Sequence, residues 1–344
     1  MSVSIKDIAR AAGVSHSTVS RALRDSPLVN PATAAEIQRL AREMGYTPSA
    51  VAQGLVTQQT RTIGLVVTFI SDPFVDRIVE GIEGMAAARG YSVFLSSSHA
   101  DPERELDVVE TFHRRRVDGV IVLASRVGRL YGERLAELGV PIVLINSQAD
   151  SDYLYTVAVD DEQGACLALR HLLDLGHRRI GYIGSAFRPP SSLRRQAGYR
   201  AELEQAGIPF DPDLVVVPDT QDDLECGRLG LEPLLEAGAT AVFCYNDRAA
   251  IGVLLASRER SIDVPGSLSV VGFDDIDPSW YVMPALTTVH QPRLEMGRRA
   301  VQMVMDLLAE ESVSDELLPC RMIVRDSTSS PPDMDAQKNV QGLT

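Results

Sequence analysis

The sequence predicts an α/β protein in which a small all-α head precedes a larger body of doubly wound parallel sheets split into two lobes. Three observations carry this expectation. Beyond residue 61, short apolar runs with buried-strand character alternate with helical patterns, which is what parallel sheets covered on both faces require. The first 45 residues hold three short, capped helical patterns with no strand signal between them. Charge divides at the same place: residues 1–61 contain seven Lys and Arg against four Asp and Glu, a balance of +3, and the remainder contains 26 against 43, a balance of −17. A chain of 344 residues also exceeds the ~100–200 residues of one domain.

In the head, Ser4 followed by Asp7 resembles a capping box, after which Ile5, Ile8, Ala9 and Ala12 fall on one face until Gly13 ends the helix. Ser15 can cap a second helix from His16 to about Leu23, with Val19, Ala22 and Leu23 turned inward. Asn30 and Pro31 open a third, which buries Ile37, Leu40, Ala41 and Met44 before Gly45. Two short helices joined at a glycine and closed by a third follow the helix-turn-helix plan, whose second helix enters the DNA major groove. On that plan His16, Ser17, Thr18 and Arg21 face the DNA, and Arg21 can bond guanine O6 and N7 together. From spacing alone, an ordinary three-helix bundle with a solvated Arg21 remains open.

In the body, strand-like runs occur at 63–67, 91–95, 119–123, 142–145, 180–183, 214–217, 241–244 and 268–271, and Pro73 begins a helix running to Ala88. Such a count suggests two doubly wound lobes, with a ligand at the carboxyl ends of the strands. Asp72, Phe74, Asn146, Asp160, Asp161, Arg195, Asn246, Asp247, Asp274 and Asp275 lie at such ends. Asp161 and Asp247, and with them Asp160, are equally able to cap the helices that follow. His171 and His177 flank Gly176, where a helix C-terminal cap is expected.

The exact words of the head go further. Ile5-Lys6-Asp7-Ile8-Ala9, Ala12-Gly13-Val14-Ser15, Thr18-Val19-Ser20-Arg21, Gly45-Tyr46-Thr47-Pro48-Ser49 and Val51-Ala52-Gln53-Gly54-Leu55 stand in one order and register. Together they resemble the signature of the lactose-repressor (LacI/GalR) family, and the resemblance continues to about residue 326. It implies a DNA-binding transcription regulator, a repressor, with a body similar to periplasmic sugar-binding proteins. The implied DNA contacts are Ser15, His16, Ser17, Thr18, Arg21, Asn30, Ala52 and Leu55. Residues 49–56 match a hinge helix that folds on DNA, with Leu55 wedged into the minor groove. The implied effector pocket takes Asp72, Phe74, Asn146, Asp160, Ser191, Arg195, Asn246 and Asp274, a set whose amides, carboxylates, guanidinium and aromatic face suit a sugar or sugar derivative.

The resemblance divides the chain into a head at 1–48, a hinge and linker at 49–61, and a body at 62–326. Lobe one would be about 62–160 and 291–320, lobe two about 161–290 and 321–326, with a disordered tail at 327–344. The tail carries no leucine heptad that would join dimers. A homodimer on a pseudo-palindromic operator is expected, because one recognition helix reads few base pairs.

No run approaches the ~20 apolar residues of a membrane span, and the charged first residues lack a secretory pattern, so a cytoplasmic protein is expected. Four scattered cysteines, Cys166, Cys226, Cys244 and Cys320, read as thiols rather than a disulfide or zinc framework. The acidic stretch Asp274-Asp275-Ile276-Asp277 lacks the partners of a metal site, and neither a metal nor a cofactor is expected. Neither a nucleotide-binding glycine loop nor a hydrolase or metalloprotease motif occurs, which disfavours an enzyme. A body that answers to a protein partner or a nucleoside-type ligand instead of a sugar stays open.

Overall fold

The computed structural model describes residues 3–46, 59–125, 127, 139–147 and 155–332. They form two units that divide at Thr60 and Arg61.

The head comprises α1 (Ile5–Ala12), α2 (His16–Ala22) and α3 (Pro31–Glu43). The Asp7 carboxylate accepts from Ser4 N at 3.0 Å, and Gly13 leaves α1 at a φ of 67°. That left-handed conformation is open to glycine without a Cβ penalty. Ser15 Oγ accepts from Thr18 N at 3.1 Å and Asn30 Oδ1 from Ala32 N at 2.9 Å, so each later helix has a side-chain cap. Ile8, Ala9, Val19, Ala22, Ile37 and Ala41 form the core. Leu40, expected inside, is half-buried.

The body contains β1 (Thr62–Val67), α4 (Val75–Ala88), β2 (Ser92–Ser97), α5 (Pro102–Arg114), β3 (Gly119–Leu123), β4 (Ile142–Ile145) and β5 (Tyr155–Val159). It continues through α6 (Asp161–Asp174), β6 (Ile180–Ile183), α7 (Pro189–Gln205), β7 (Val215–Val216), α8 (Asp223–Glu236), β8 (Ala241–Cys244) and α9 (Asp247–Glu259). The last elements are β9 (Ser269–Asp274), α10 (Pro278–Tyr281), β10 (Thr287–His290), α11 (Arg293–Leu308), β11 (Glu316–Leu318) and β12 (Arg321–Ile323).

One six-stranded sheet runs β11-β5-β4-β3-β1-β2, all parallel, and the other β12-β10-β9-β8-β6-β7, parallel except for the β10/β12 pair. The chain therefore passes between sheets after β5, after β10 and after β11. In each sheet the strand order reverses beside the first strand of the lobe, the switch point at which a crevice opens. The central strands are buried on both faces and read as unbroken apolar runs. The strands without a sequence expectation, β5, β10 and β11, are short, and β10 buries the polar Thr287 and Thr288.

One expectation is corrected here. Residues 327–329, expected to be disordered, are packed: Ser327 Oγ donates to Val270 O at 2.6 Å and accepts from Thr287 N at 2.8 Å. The C-terminal cap expected at Gly176 forms in the backbone, Gly176 N donating to Leu173 O at 3.0 Å and His177 N to Leu172 O at 3.1 Å, while the rings hold the segment after Ser327, His171 Nε2 to Thr328 Oγ1 at 3.0 Å and His177 Nε2 to Ser329 O at 2.9 Å. Burial keeps both imidazoles below the usual histidine pKa. The rest of the tail, 333–344, lies outside the described residues, as do the hinge expectations Ala52 and Leu55. Cys226, Cys244 and Cys320 are buried and Cys166 half-buried. Among the described residues no helix is long and apolar enough to cross a membrane.

Candidate functional site

The head presents α2. His16, Ser17 and Arg21 are exposed and Thr18 is half-buried, while Val19 and Ala22 turn into the core. The cap makes this face from its own residues, with Ser15 Oγ 2.8 Å from the hydroxyls of both Ser17 and Thr18. Arg24 folds back on Ser20, Nε to O at 3.0 Å, whereas the Arg21 side chain makes no hydrogen bond or ion pair among the described residues. Asn30 spends its side-chain oxygen on the α3 cap.

The body places a cleft of about 500 Å³ between its lobes at the carboxyl ends of the strands. Asp72, Phe74 and Asn146 reach it from lobe one, and Ser191, Arg195, Asn246 and Asp274 from lobe two. Seven of the eight sequence-predicted pocket residues thus meet there. The exception is Asp160, a correction: its carboxylate accepts from Gln163 N at 2.9 Å as the cap of α6, and it does not line the cleft. Asp161 and Asp247 also stay beneath the surface. Asp161 pairs with Arg194 and Arg195 at 2.8 Å each, and Asp247 receives Ile276 N at 2.9 Å and the Thr288 hydroxyl.

The floor is a relay of hydrogen bonds between lobes. Asn146 Nδ2 donates to Gln291 Oε1 at 3.0 Å, and Gln291 Nε2 donates to Asp274 Oδ1 at 2.6 Å. Arg195 is 4% exposed; its Nε donates to Asp161, its Nη1 to Tyr245 O, and its guanidinium lies 3.6 Å from the centre of the Phe273 ring. The same guanidinium is 3.6 Å from Asp274. Burial pushes the Asp274 carboxyl up to about 7, and Arg195 only partly opposes that rise. Asp275 goes the other way: against its burial, His290 at 2.8 Å and Arg325 at 2.6 Å hold it down at about 2. Asn246 accepts from Ala249 N as the cap of α9 and donates to Asp223 at 2.9 Å.

Phe187, Arg188, Tyr245, Arg248 and Gln291 also line the cleft and were missed by sequence reasoning. Gln291 follows β10, a strand too short and polar to announce itself, so its place at a strand end was hidden. Arg188 could have been found, since it stands just before the Pro189-Pro190 start of α7 in the turn after β6. Among the described residues no His, Cys, Asp and Glu group could hold a metal ion.

A helix-turn-helix head with an unpaired arginine on its second helix, carried on a body with a two-walled polar cleft, defines a ligand-responsive DNA-binding regulator. Residues 4–49 match the model of bacterial regulatory proteins of the lacI family, and residues 169–328 that of a periplasmic binding protein-like domain. The catabolite control protein A of Priestia megaterium is 33% identical over 333 residues, covering 95% of this chain and all of that protein. A lac repressor dimer bound to operator and the anti-inducer ONPF superposes with a TM-score of 0.86 at 26% identity, over 96% of this chain and all of that one. A ribose-bound LacI family regulator from Enterococcus faecium gives 0.71 at 29% identity, over 78% of this chain and 99% of that one. The chain belongs to the LacI family of bacterial regulatory proteins and is a sequence-specific DNA-binding transcription regulator.

Proposed function

We propose that the chain is a homodimeric repressor whose operator affinity is set by a small polyhydroxylated effector bound between the lobes. The carrying observation is that the polar residues of the cleft come from both walls, Asp72 and Asn146, beside the Phe74 ring, from one and Ser191, Arg195, Asn246 and Asp274 from the other. A ligand changes a conformational equilibrium only through its differential affinity for the two arrangements, and contacts on both walls supply that difference. The solved relative with bound ribose supports a ligand of this kind.

In the same reading, His16, Ser17, Thr18 and Arg21 read bases in the major groove, Ser15 and Asn30 contact the DNA beside them, and Ala52 and Leu55 belong to a hinge in the minor groove. The protein acts by binding and not by catalysis.

Melting the full chain against sugars and nucleosides tests the sensing half. A ligand at a hundredfold excess over its Kd stabilises by about 2.7 kcal/mol, and a response confined to nucleosides would replace the sugar reading. For the DNA half, Arg21→Ala should cost ~1–3 kcal/mol per half-site on the cognate operator and much less on random DNA, read by fluorescence anisotropy. Equal losses on both would reassign Arg21 to a phosphate.

A further inference from the structure

The three cleft arginines differ in how fully they are used. Arg195 is buried, donates to Asp161 and to Tyr245 O and lies on the Phe273 face, and belongs to the frame. Arg188 is not saturated: among the described residues its guanidinium donates a single hydrogen bond, Nη2 to Asp72 Oδ2 at 3.1 Å across the cleft. A guanidinium has five N–H donors, so most of the Arg188 donors face the cleft unfilled. Arg248 makes no hydrogen bond among the described residues, only long ion pairs to Asp222 at 3.6 Å and Asp223 at 3.8 Å.

Burial disfavours the Arg188 cation and the charges of Asp223, Asp72 and Asp274 outweigh that, but among the described residues only Asp72 accepts a hydrogen bond from it. Asp223 already accepts from the Tyr245 hydroxyl and from Asn246, and Asp72 Oδ1 accepts from Phe74 N at 3.0 Å. Lining the same cleft, Ser191 offers a hydroxyl with no partner among the described residues, on the first turn of α7, a turn without an acidic residue to offset the positive end of the helix dipole.

We infer that Arg188, Arg248 and Ser191 form an anion-reading subsite on the lobe-two wall, so that the effector carries an acidic oxygen group, a carboxylate or a phosphate, beside its hydroxyls. The inference rests on the cleft being the effector site. Acidic oxygens match the guanidinium in charge and in fork geometry, and the ligand anion takes the place of Asp72 as the partner of Arg188. Asp72 is then a competitor for that guanidinium. A neutral sugar would leave the donors unfilled, at the cost that unmade hydrogen bonds carry in a desolvated site.

The test is calorimetry on the full chain with matched pairs that differ only in the acidic group: ribose and ribose 5-phosphate, glucose and glucose 6-phosphate, galactose and galacturonate. A parallel arm compares melting in inorganic phosphate and in chloride at matched ionic strength. The acidic member of at least one pair should bind roughly 10- to 100-fold more tightly than its neutral partner. Arg188→Gln or Arg248→Gln should remove most of that preference, weakening the acidic member of a pair by far more than the neutral one, and Asp72→Asn should increase it. Phosphate should raise the melting temperature of the wild type above that in chloride and do so less in either arginine variant. Neutral sugars that bind as well as their acids, with both variants indifferent, would leave the cleft reading standing and overturn the subsite. If no sugar binds yet phosphate stabilises the wild type alone, the subsite holds and the sugar reading fails. If phosphate also acts no differently from chloride, both fall.

Discussion

Replacing Arg195 with alanine looks from the sequence like a clean loss of effector response, because the residue is far along the chain from the head. The structure assigns it a second cost. Arg195→Ala removes a 2.8 Å charge-assisted bond to Asp161, a bond to Tyr245 O and the guanidinium stacked 3.6 Å from the Phe273 ring centre. Asp161 keeps Arg194 at 2.8 Å, so the carboxylate is not left alone and the full ~3–5 kcal/mol of a broken buried pair is not reached. A buried charged hydrogen bond at ~1.5–3 kcal/mol and a cation–π contact at ~0.5–2 kcal/mol place the loss at about 3 kcal/mol. At ~2–4 °C per kcal/mol, the melting transition of the body should fall by roughly 6–12 °C. Thermal melts followed by circular dichroism at one protein concentration measure it. Combining the change with Asp161→Asn isolates the pair, whose coupling should be about 1–2 kcal/mol. A variant that melts within a degree of the wild type, with no coupling to Asp161, would refute the assignment of Arg195 to the frame.

Three further outcomes are expected. Gly227→Ala should destabilise by ~1–3 kcal/mol in urea titrations, because a Cβ there overlaps the Ala249 carbonyl oxygen of α9, whereas Gly84→Ala, with open space around it on α4, should stabilise by ~0.5–1 kcal/mol. Asp274 has a native pKa of about 7, above the 3.8 of the free carboxyl. The native state therefore holds a proton that the unfolded chain releases, and stability must fall as pH rises through 7. Between pH 6 and 8 the wild type should lose about 1.4 kcal/mol more than Asp274→Asn, measured by urea midpoints. Asp160→Ala should cost about 1 kcal/mol of stability through its lost cap and leave effector affinity unchanged by calorimetry, the reverse of a pocket residue.

The head was legible almost to the residue. Its helices are bounded by local chemistry, Ser4, Ser15 and Asn30 at their starts and Gly13 after the first, and a cap acts within three or four positions of itself. The strongly apolar strands β3, β4, β6 and β8 were legible for the same reason, since a strand buried on both faces must be apolar throughout. The pocket was legible as a set of strand-end residues, because a doubly wound sheet presents those ends to its ligand.

Tertiary structure decided which of those strand-end residues reach the cleft and which are used up below it. Asp160 and Asp274 both stand at strand ends, yet the Asp160 carboxylate is taken up locally by Gln163 N as the cap of α6, while Asp274 reaches the cleft wall, where long-range packing sets Gln291 and Arg195 beside it. The division of labour among arginines was equally hidden. Arg195 and Arg188 differ in whether Asp161, Tyr245 and Phe273, which lie 34, 50 and 78 positions from Arg195, fold against the guanidinium. A local pattern can place an arginine at a cleft, but only long-range packing determines whether its donors are spent on the protein or left for a ligand.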